Sequence, residues 1–321
     1  MILASAGRLA HSTAVMRSAP SPPRVAVIIL QWRHAEETAA CLRSVAALWY
    51  ENYTVLVVDN HSADGSVERL RREFADLTID ENLENLGFAG GCNAGIRVAL
   101  RDPAVRYVLL LNNDTRVAPD LLTEMVAVAE ADPSAVVIGA VNVSDNGYTS
   151  SGGYLRWWTG RYADIFDVQP AAEICREPAV EVDAVAGSSM LVRVEPLRAG
   201  VLLDPGFFCV FEETDWCLRL HARGGRVLLA TRARLEHRMS TTMGKPLQFY
   251  FRFRNRLYFM AKHARLIHWL TFVPYYVAEA GGRIAAYTLV GRRREARAVL
   301  LGVWDGALGR RGPGRLDELL A

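Results

Sequence analysis

Cysteine is sparse in this 321-residue sequence, and the five present, Cys41, Cys92, Cys175, Cys209 and Cys217, form no CxxC pair. That spacing offers neither a zinc knuckle nor a redox disulfide, and a reducing, cytoplasmic compartment is the economical reading. Long apolar runs are also lacking. The nearest approach to the roughly eighteen residues a spanning helix needs, residues 266–290, is interrupted by Pro274, Glu279, Gly281, Gly282 and Arg283. The N-terminal stretch has Arg8, His11 and Arg17 among small residues and a proline-rich segment at 18–23, without the unbroken apolar core of a secretory signal; residues 1–23 are expected to be a disordered leader. Phosphate-cradling signatures are missing as well. There is no GxxxxGK[ST], and the glycines between Gly87 and Gly95 do not fall on GxGxxG spacing, so P-loop phosphotransfer and hydride transfer in a dinucleotide fold lose their best support. No internal repeat occurs.

What is present is apolar bulk. A hydrophobic fraction of 51% over this length excludes disorder and a small disulfide-stapled scaffold. The net charge of +2 gives no reason to expect a nucleic-acid partner, but it conceals a split. Residues 238–321 hold fifteen basic and five acidic side chains, against twenty-two and thirty in the residues before them, so an acidic body of about −8 precedes a basic tail of about +10.

The body alternates strand and helix. Val25–Leu30, Val55–Val58 and Tyr107–Leu111 are short β-branched or leucine-rich runs of the kind a parallel sheet buries on both faces, and Thr78–Asp80 and Ala135–Gly139 are weaker strands. Helical spacing recurs over Glu36–Leu48, Val67–Phe74, Ala89–Leu100 and Pro119–Ala131. This order predicts a doubly wound α/β sheet, whose ligands sit beyond the carboxyl ends of the strands. Asp59, Asn85 and Asn112-Asn113-Asp114 all follow strand-like runs. After an irregular stretch, Ala184–Arg193 reads as one strand, Glu213–Arg223 as a helix, and Arg226–Ala230 as a strand leading to His237. Beyond Gln248 the chain is basic and aromatic at helical spacing, with Phe249, Phe253, Leu257 and Met260 able to share a face. A boundary near 247/248 divides a body of residues 24–247 from this C-terminal region. The strand-end carboxylates and amides, with Glu212, Glu213, Asp215 and His237, suit a chemistry in which a divalent cation neutralises a diphosphate and a carboxylate deprotonates a hydroxyl.

Five blocks carry a resemblance: Val25-Ala-Val-Ile-Ile-Leu-Gln-Trp32, Val57 to Ser66 around Asp59-Asn-His-Ser, Glu84-Asn-Leu-Gly-Phe-Ala-Gly-Gly-Cys-Asn-Ala-Gly95, Leu109-Leu-Leu-Asn-Asn-Asp-Thr115, and Phe207 to Leu220 around Glu212-Glu-Thr-Asp-Trp216. In this order they resemble the inverting family 2 glycosyltransferases of GT-A fold, and among them the bacterial rhamnosyltransferases of cell-surface polysaccharide assembly. The resemblance implies a mixed doubly wound sheet with a nucleotide-binding half, an acceptor half and a C-terminal amphipathic helical extension. It assigns the nucleotide sugar to Gln31, Asp59, Asn85, Gly87, Asn112, Asn113 and Asp114, with Asp59 on the base. Asp114 falls at the last position of the family's metal-binding Asp-x-Asp. Asn112 replaces the first Asp, so Mg²⁺ or Mn²⁺ would be held by one carboxylate, an amide and His237.

Glu213 falls at the catalytic base, supported by Glu212 and Asp215, while Asp183 and Trp216 lie on the acceptor side. Capping or packing roles compete at several positions: a cap for Asp59, a solvated helix start for Glu212 and Asp215, and core for Trp157, Trp158 and Trp216. The expected reaction moves a sugar, L-rhamnose from a dTDP donor or else a hexose or galactofuranose from UDP, to a hydroxyl of a lipid-linked or growing glycan. A non-catalytic nucleotide-sugar or glycan-binding partner is the reading from another class. For the tail, an amphipathic helix on the anionic inner face of the cell membrane is favoured, over Phe249–Arg265 and Arg292–Arg297; a packed support helix or an oligomer contact are the others.

Overall fold

A computed structural model describes residues 21–144, 147–148, 151–238 and 244–320. The expected leader lies outside them up to residue 20. At its end, Pro22 and Pro23 are held through their carbonyls by Asn52 Nδ2 and Tyr50 OH.

The first half alternates as its sequence pattern requires: β1 (Arg24–Gln31), α1 (Ala35–Ala46), β2 (Tyr53–Asp59), α2 (Ser66–Glu73), β3 (Thr78–Glu81), α3 (Gly87–Ala99), β4 (Val105–Asn112), β5 (Thr115–Val117), α4 (Leu121–Ala131) and β6 (Ala135–Ser144). Hairpin strands β7 (Gly147–Tyr148), β8 (Gly152–Arg156) and β9 (Arg161–Asp164), with short helices α5 (Ile165–Val168) and α6 (Ala171–Ile174), fill the irregular stretch. There follow β10 (Ala179–Glu181), β11 (Ala184–Val185), β12 (Ser189–Arg193), α7 (Val194–Arg198), α8 (Glu212–His221) and β13 (Arg226–His237). Four helices complete the chain: α9 (Gly244–His263), α10 (Leu266–Leu289), α11 (Arg293–Ala307) and α12 (Leu316–Leu320).

The main sheet runs β10-β13-β6-β12-β4-β1-β2-β3. Strands β3, β2, β1 and β4 are parallel, and β12 enters antiparallel between β4 and β6. Val27, Ile29 and Leu109 pack on one face of this sheet and Ile28, Val58 and Leu110 on the other, so both faces are covered and the strands read as continuous apolar runs. One expectation is corrected here. Ala184–Arg193 is not one strand, because β11 belongs to a separate three-stranded sheet with β8 and β9, while β12 joins the main sheet. Gly187-Ser188 lies between them, and such a turn leaves no mark in a hydrophobic pattern that is apolar on both sides.

The C-terminal helices are bound to the body through α9. Arg254 and Asn255 are fully buried. Asn255 Nδ2 donates to the carbonyls of Phe207, Cys209 and Val210 at 2.9, 2.6 and 2.8 Å, and Arg254 Nη2 donates to Phe207 O at 2.8 Å. The expectation that Phe249–Arg265 lies on a membrane is therefore corrected: Tyr250, Phe251, Phe253, Phe259 and Met260 are core residues, and the segment is a support helix. Replacing Asn255 by Ala leaves the buried Cys209 carbonyl without this donor and removes one of two from Phe207, and is expected to cost about 1–3 kcal/mol, read as a lowered urea midpoint at unchanged slope.

Candidate functional site

Two cavities adjoin at the carboxyl ends of the parallel strands. The smaller, about 380 Å³, is lined by Leu30, Trp32, Asn60, Asn85, Gly87 and Asn112-Asn113-Asp114 among others. The larger, about 650 Å³, is lined by Gly187, Ser188, Glu212, Glu213 and Thr214 together with Arg161, Arg252, Arg256 and Glu279. Phe88, Asn112, Cys209, Val210, His237 and Arg252 border both, so a ligand in one chamber meets a ligand in the other across this wall.

The wall depends on a sharp loop. Phe208, Val210 and Phe211 take left-handed φ of 66°, 69° and 81°, which a non-glycine residue adopts only when its surroundings enforce it. Gly87, at φ 70°, lies against this loop; a Cβ there would approach Phe208 O to 2.4 Å. The loop delivers Glu212 and Glu213 to the start of α8. Glu212 is 5% exposed, its Oε2 has no hydrogen-bond partner, and burial, reinforced by Glu213, holds its carboxyl well above the ordinary value of 4.5. Burial also raises Glu213, opposed by the backbone N–H groups of Glu213, Thr214 and Phe211 at the helix start.

In the smaller chamber, Asp114 Oδ1 lies 3.2 Å from His237 Nε2, because β5 pairs with the end of β13 and places Thr115 opposite His237. Asp114 is 6% exposed. One carboxylate, one imidazole and the amide of Asn112 make a partial donor set. It fits Mg²⁺ or Mn²⁺ whose remaining positions are filled by water and diphosphate oxygens. Among the described residues no cluster of three His, Cys, Asp or Glu side chains forms a complete protein cage. Asn85 Oδ1 accepts from Gly87 N at 2.9 Å and from Asn60 Nδ2 at 2.9 Å, so it shapes the turn into α3. Asn60, which the sequence did not single out, also donates to Gly87 O and accepts from Asn82 and Leu86, tying the chamber's rim together.

Residues 26–179 match the sequence profile of glycosyl transferase family 2. That match spans a little under half of the chain, so over residues 26–179 the protein is similar to this family. It is 28% identical over 244 residues to the uncharacterized protein y4gI of Sinorhizobium fredii, covering 69% of this chain and 25% of that protein. It is 24% identical over 208 residues to the poly-β-1,6-N-acetyl-D-glucosamine synthase of Staphylococcus aureus strain COL, covering 63% and 47%. These alignments span between a quarter and half the length of those relatives. The fold is also that of the mannosyltransferase PcManGT from Pyrobaculum calidifontis, solved with GDP-Man and Mn²⁺, at TM-score 0.57 and 16% identity over 91% of this chain and 90% of that one. With such neighbours, the mixed sheet followed by helices is a GT-A arrangement.

Several expected site residues lie away from these cavities or serve the fold. Asp59 and Gln31 line neither cavity. Asp59 accepts from Ser62 N, Ser62 Oγ and Gln31 Nε2, so its carboxylate closes the turn after β2. Asn113 lines the smaller chamber while donating to Thr38 Oγ1. Asp183 accepts from Leu155 N and holds the small sheet. Trp216 is fully buried with its indole N–H on Val201 O, so it is core and not a wall of the acceptor cleft. Asp215, also fully buried, pairs with Arg219, Lys262 and His263; it anchors α8 to α9 and does not reach the cavity. Conversely, Arg252 and Arg256 were legible only as basic residues around a helix face. Their i, i+4 spacing was the available signal that both project to one side.

The electrostatics of Glu212 make a testable statement. A carboxyl raised in the folded state keeps a proton that the unfolded chain releases above pH 4.5, so folding loses stability as pH rises from there through the folded value. Glu212→Gln escapes that loss. It is expected to raise Tm at pH 7 above the parent, with the difference closing as pH falls below 4.5, measured by thermal unfolding across pH.

Proposed function

We propose that the protein is an inverting glycosyltransferase that moves a sugar from a nucleoside diphosphate donor in the smaller chamber to an acceptor hydroxyl in the larger. The observation that carries this reading is the division of carboxylates across the shared wall: Asp114 on one side, Glu212 and Glu213 on the other, with His237 in the wall beside Asp114. Glu213 takes the proton from the acceptor hydroxyl as that oxygen attacks the anomeric carbon. The bond from that carbon to the diphosphate breaks, and the nucleoside diphosphate leaves. Asn112, Asp114 and His237 would hold a divalent cation, which when bound offsets charge developing on the leaving diphosphate. Glu212 supports the base by keeping a second carboxyl beside it. A purely binding role would leave the Glu213 carboxylate in a desolvated cleft with no task.

For the donor we favour dTDP-L-rhamnose, on the ordered motif blocks, with UDP-hexose or UDP-galactofuranose as the competing donors. The relatives' own names point to other sugars, so a donor screen needs dTDP, UDP and GDP sugars alike. The acceptor is a hydroxyl of a growing or lipid-linked glycan. We place the protein peripherally on the inner face of the cell membrane, now through α10. Among the described residues no helix is long and apolar enough to cross a membrane. However, Leu266, Ile267, Leu270, Val273 and Val277 are 89, 52, 70, 44 and 61% exposed along one face, and exposed Arg292, Arg293 and Arg294 follow. Apolar surface flanked by arginine suits an anionic lipid interface.

Glu213→Gln is expected to lower transfer by about 10²–10⁴-fold while donor binding, followed calorimetrically, stays as in the parent; full turnover would remove Glu213 as base. In the parent, kcat/KM falls toward acid with a midpoint above 4.5, because the raised carboxyl must lose its proton to act. His237→Ala is expected to weaken nucleoside diphosphate binding in Mn²⁺ and to leave binding in EDTA unchanged.

A further inference from the structure

The larger cavity has a feature that sugar transfer to a neutral hydroxyl does not require. Arg161 from β9, Arg252 and Arg256 from α9 and Glu279 from α10 line the same cavity as Glu213. Arg283 reaches the same carboxylate from one turn further along α10, with Nε 3.3 Å from Glu279 Oε1, while Arg256 Nη1 is 2.8 Å from Glu279 Oε2. Two guanidinium groups thus pair with Glu279, and Arg161 and Arg252 stand in the same lining without an ion pair to it.

None of the other partners cancels this excess. Arg161 Nη1 donates to the neutral hydroxyl of Tyr275 at 2.9 Å. Arg256 is 3% exposed and its guanidinium lies 4.8–6.0 Å from the ring centres of Tyr276, Phe253 and Phe272, with Nε and Nη2 unpartnered. Arg283 also lies over the Phe249 ring at 5.8 Å. Arg252 borders both chambers, and its proton affinity is lowered by burial first and then by Arg283, with Arg161 and Arg256 adding to the effect and Glu279 opposing it. Arg161 and Arg252 are solvent-exposed, so water offsets part of this repulsion, but an anion among them would relieve the rest, most of all at buried Arg256.

We propose that Arg161, Arg252, Arg256 and Arg283, grouped around Glu279, form a subsite for a phosphate or diphosphate ester carried by the acceptor. This rests on the glycosyltransferase reading. The donor diphosphate is an inferior occupant, because Arg161, Arg256 and Glu279 line only the chamber that holds Glu213, whereas Asp114 lines only the other and His237 stands between them. A diphosphate, with more than one negative charge, matches a group of arginines better than a single carboxylate does, and planar guanidinium forks suit its oxygens. The subsite then fixes one end of the acceptor so that its hydroxyl meets Glu213 in the same cavity.

The probe is inorganic pyrophosphate in EDTA, titrated calorimetrically into the parent, Arg161→Gln, Arg283→Gln and His237→Ala, with unfolding curves to confirm that each is folded. Pyrophosphate is expected to bind the parent and His237→Ala alike, and about tenfold or more weakly to either arginine variant, since each loses a charge-assisted partner. Farnesyl diphosphate and glucose 1-phosphate as competitors separate a lipid-borne from a soluble phosphate; displacement by either agrees with the subsite and names its source. No binding to the parent, or binding lost only in His237→Ala, overturns it. So does binding to phosphatidylglycerol vesicles that needs Arg161 and Arg283 when pyrophosphate does not bind, because the cluster is then a headgroup-facing surface. Donor binding in Mn²⁺, measured on the same proteins, reports separately on the glycosyltransferase reading.

Discussion

The hydrogen bonds from Arg254 and Asn255 to the backbone between Phe207 and Val210 are the constraint on which the site depends. They satisfy carbonyls of a loop that three non-glycine residues with positive φ would otherwise abandon, at a cost of roughly 1–3 kcal/mol for each such residue. The same loop walls both cavities and sets the first turn of α8. A relaxed loop would move Glu212 and Glu213 relative to the Asp114–His237 pair, since only this backbone connects the wall to the acidic turn. The C-terminal helices therefore take part in building the site, although they come after the strands that form its floor.

The charge split visible in composition acquires a different meaning from this arrangement. A basic tail after an acidic body suggests arginines directed outward to a charged surface. Yet Arg254 is fully buried and Arg256 is 3% exposed, and both are spent on the interior. Arg254 satisfies carbonyls, and Arg256 is packed among aromatic rings with Glu279. On the body side, Asp215 is buried among three basic groups, and these hold its carboxyl below the ordinary value despite the opposing effect of burial. Three residues earlier, Glu212 has no cation and is displaced the other way. Neighbouring carboxylates on one helix thus carry opposite protonation tendencies, one structural and one poised in a cleft, for reasons of environment alone.

Much of the fold was legible because strand and helix periods differ. The runs Val25–Leu30 and Tyr107–Leu111 lie inside β1 and β4, and the strand-end positions of Asn112 and Asp114 followed from them. Adjacency in space was less legible. The pairing of β5 with the end of β13, which brings Asp114 to His237, spans more than a hundred residues and came from motif order, not from any local pattern. Side-chain direction was the least legible property. Asp59, Asp215 and Trp216 occupy positions where a binding role reads naturally, and in each case a local partner, Ser62, Lys262 or Val201, claims the polar atoms. Residues of one type at one position differ in role by a rotation of one bond, which sequence spacing does not record.

Helix α10 shows how an interrupted apolar segment can still be organised. Its average hydropathy is diluted by Glu279, the paired glycines and Arg283, which is why it does not read as a span. The polar interruptions are not random around the helix, however. Phe272, Tyr276 and Ala280 are buried, with Glu279 and Arg283 beside them facing Arg256, whereas Leu266, Leu270, Val273 and Val277 are exposed. At 3.6 residues per turn these sets occupy neighbouring sectors of the helix, roughly a third of a turn apart. The helix therefore presents charge inward to the cleft and apolar surface outward.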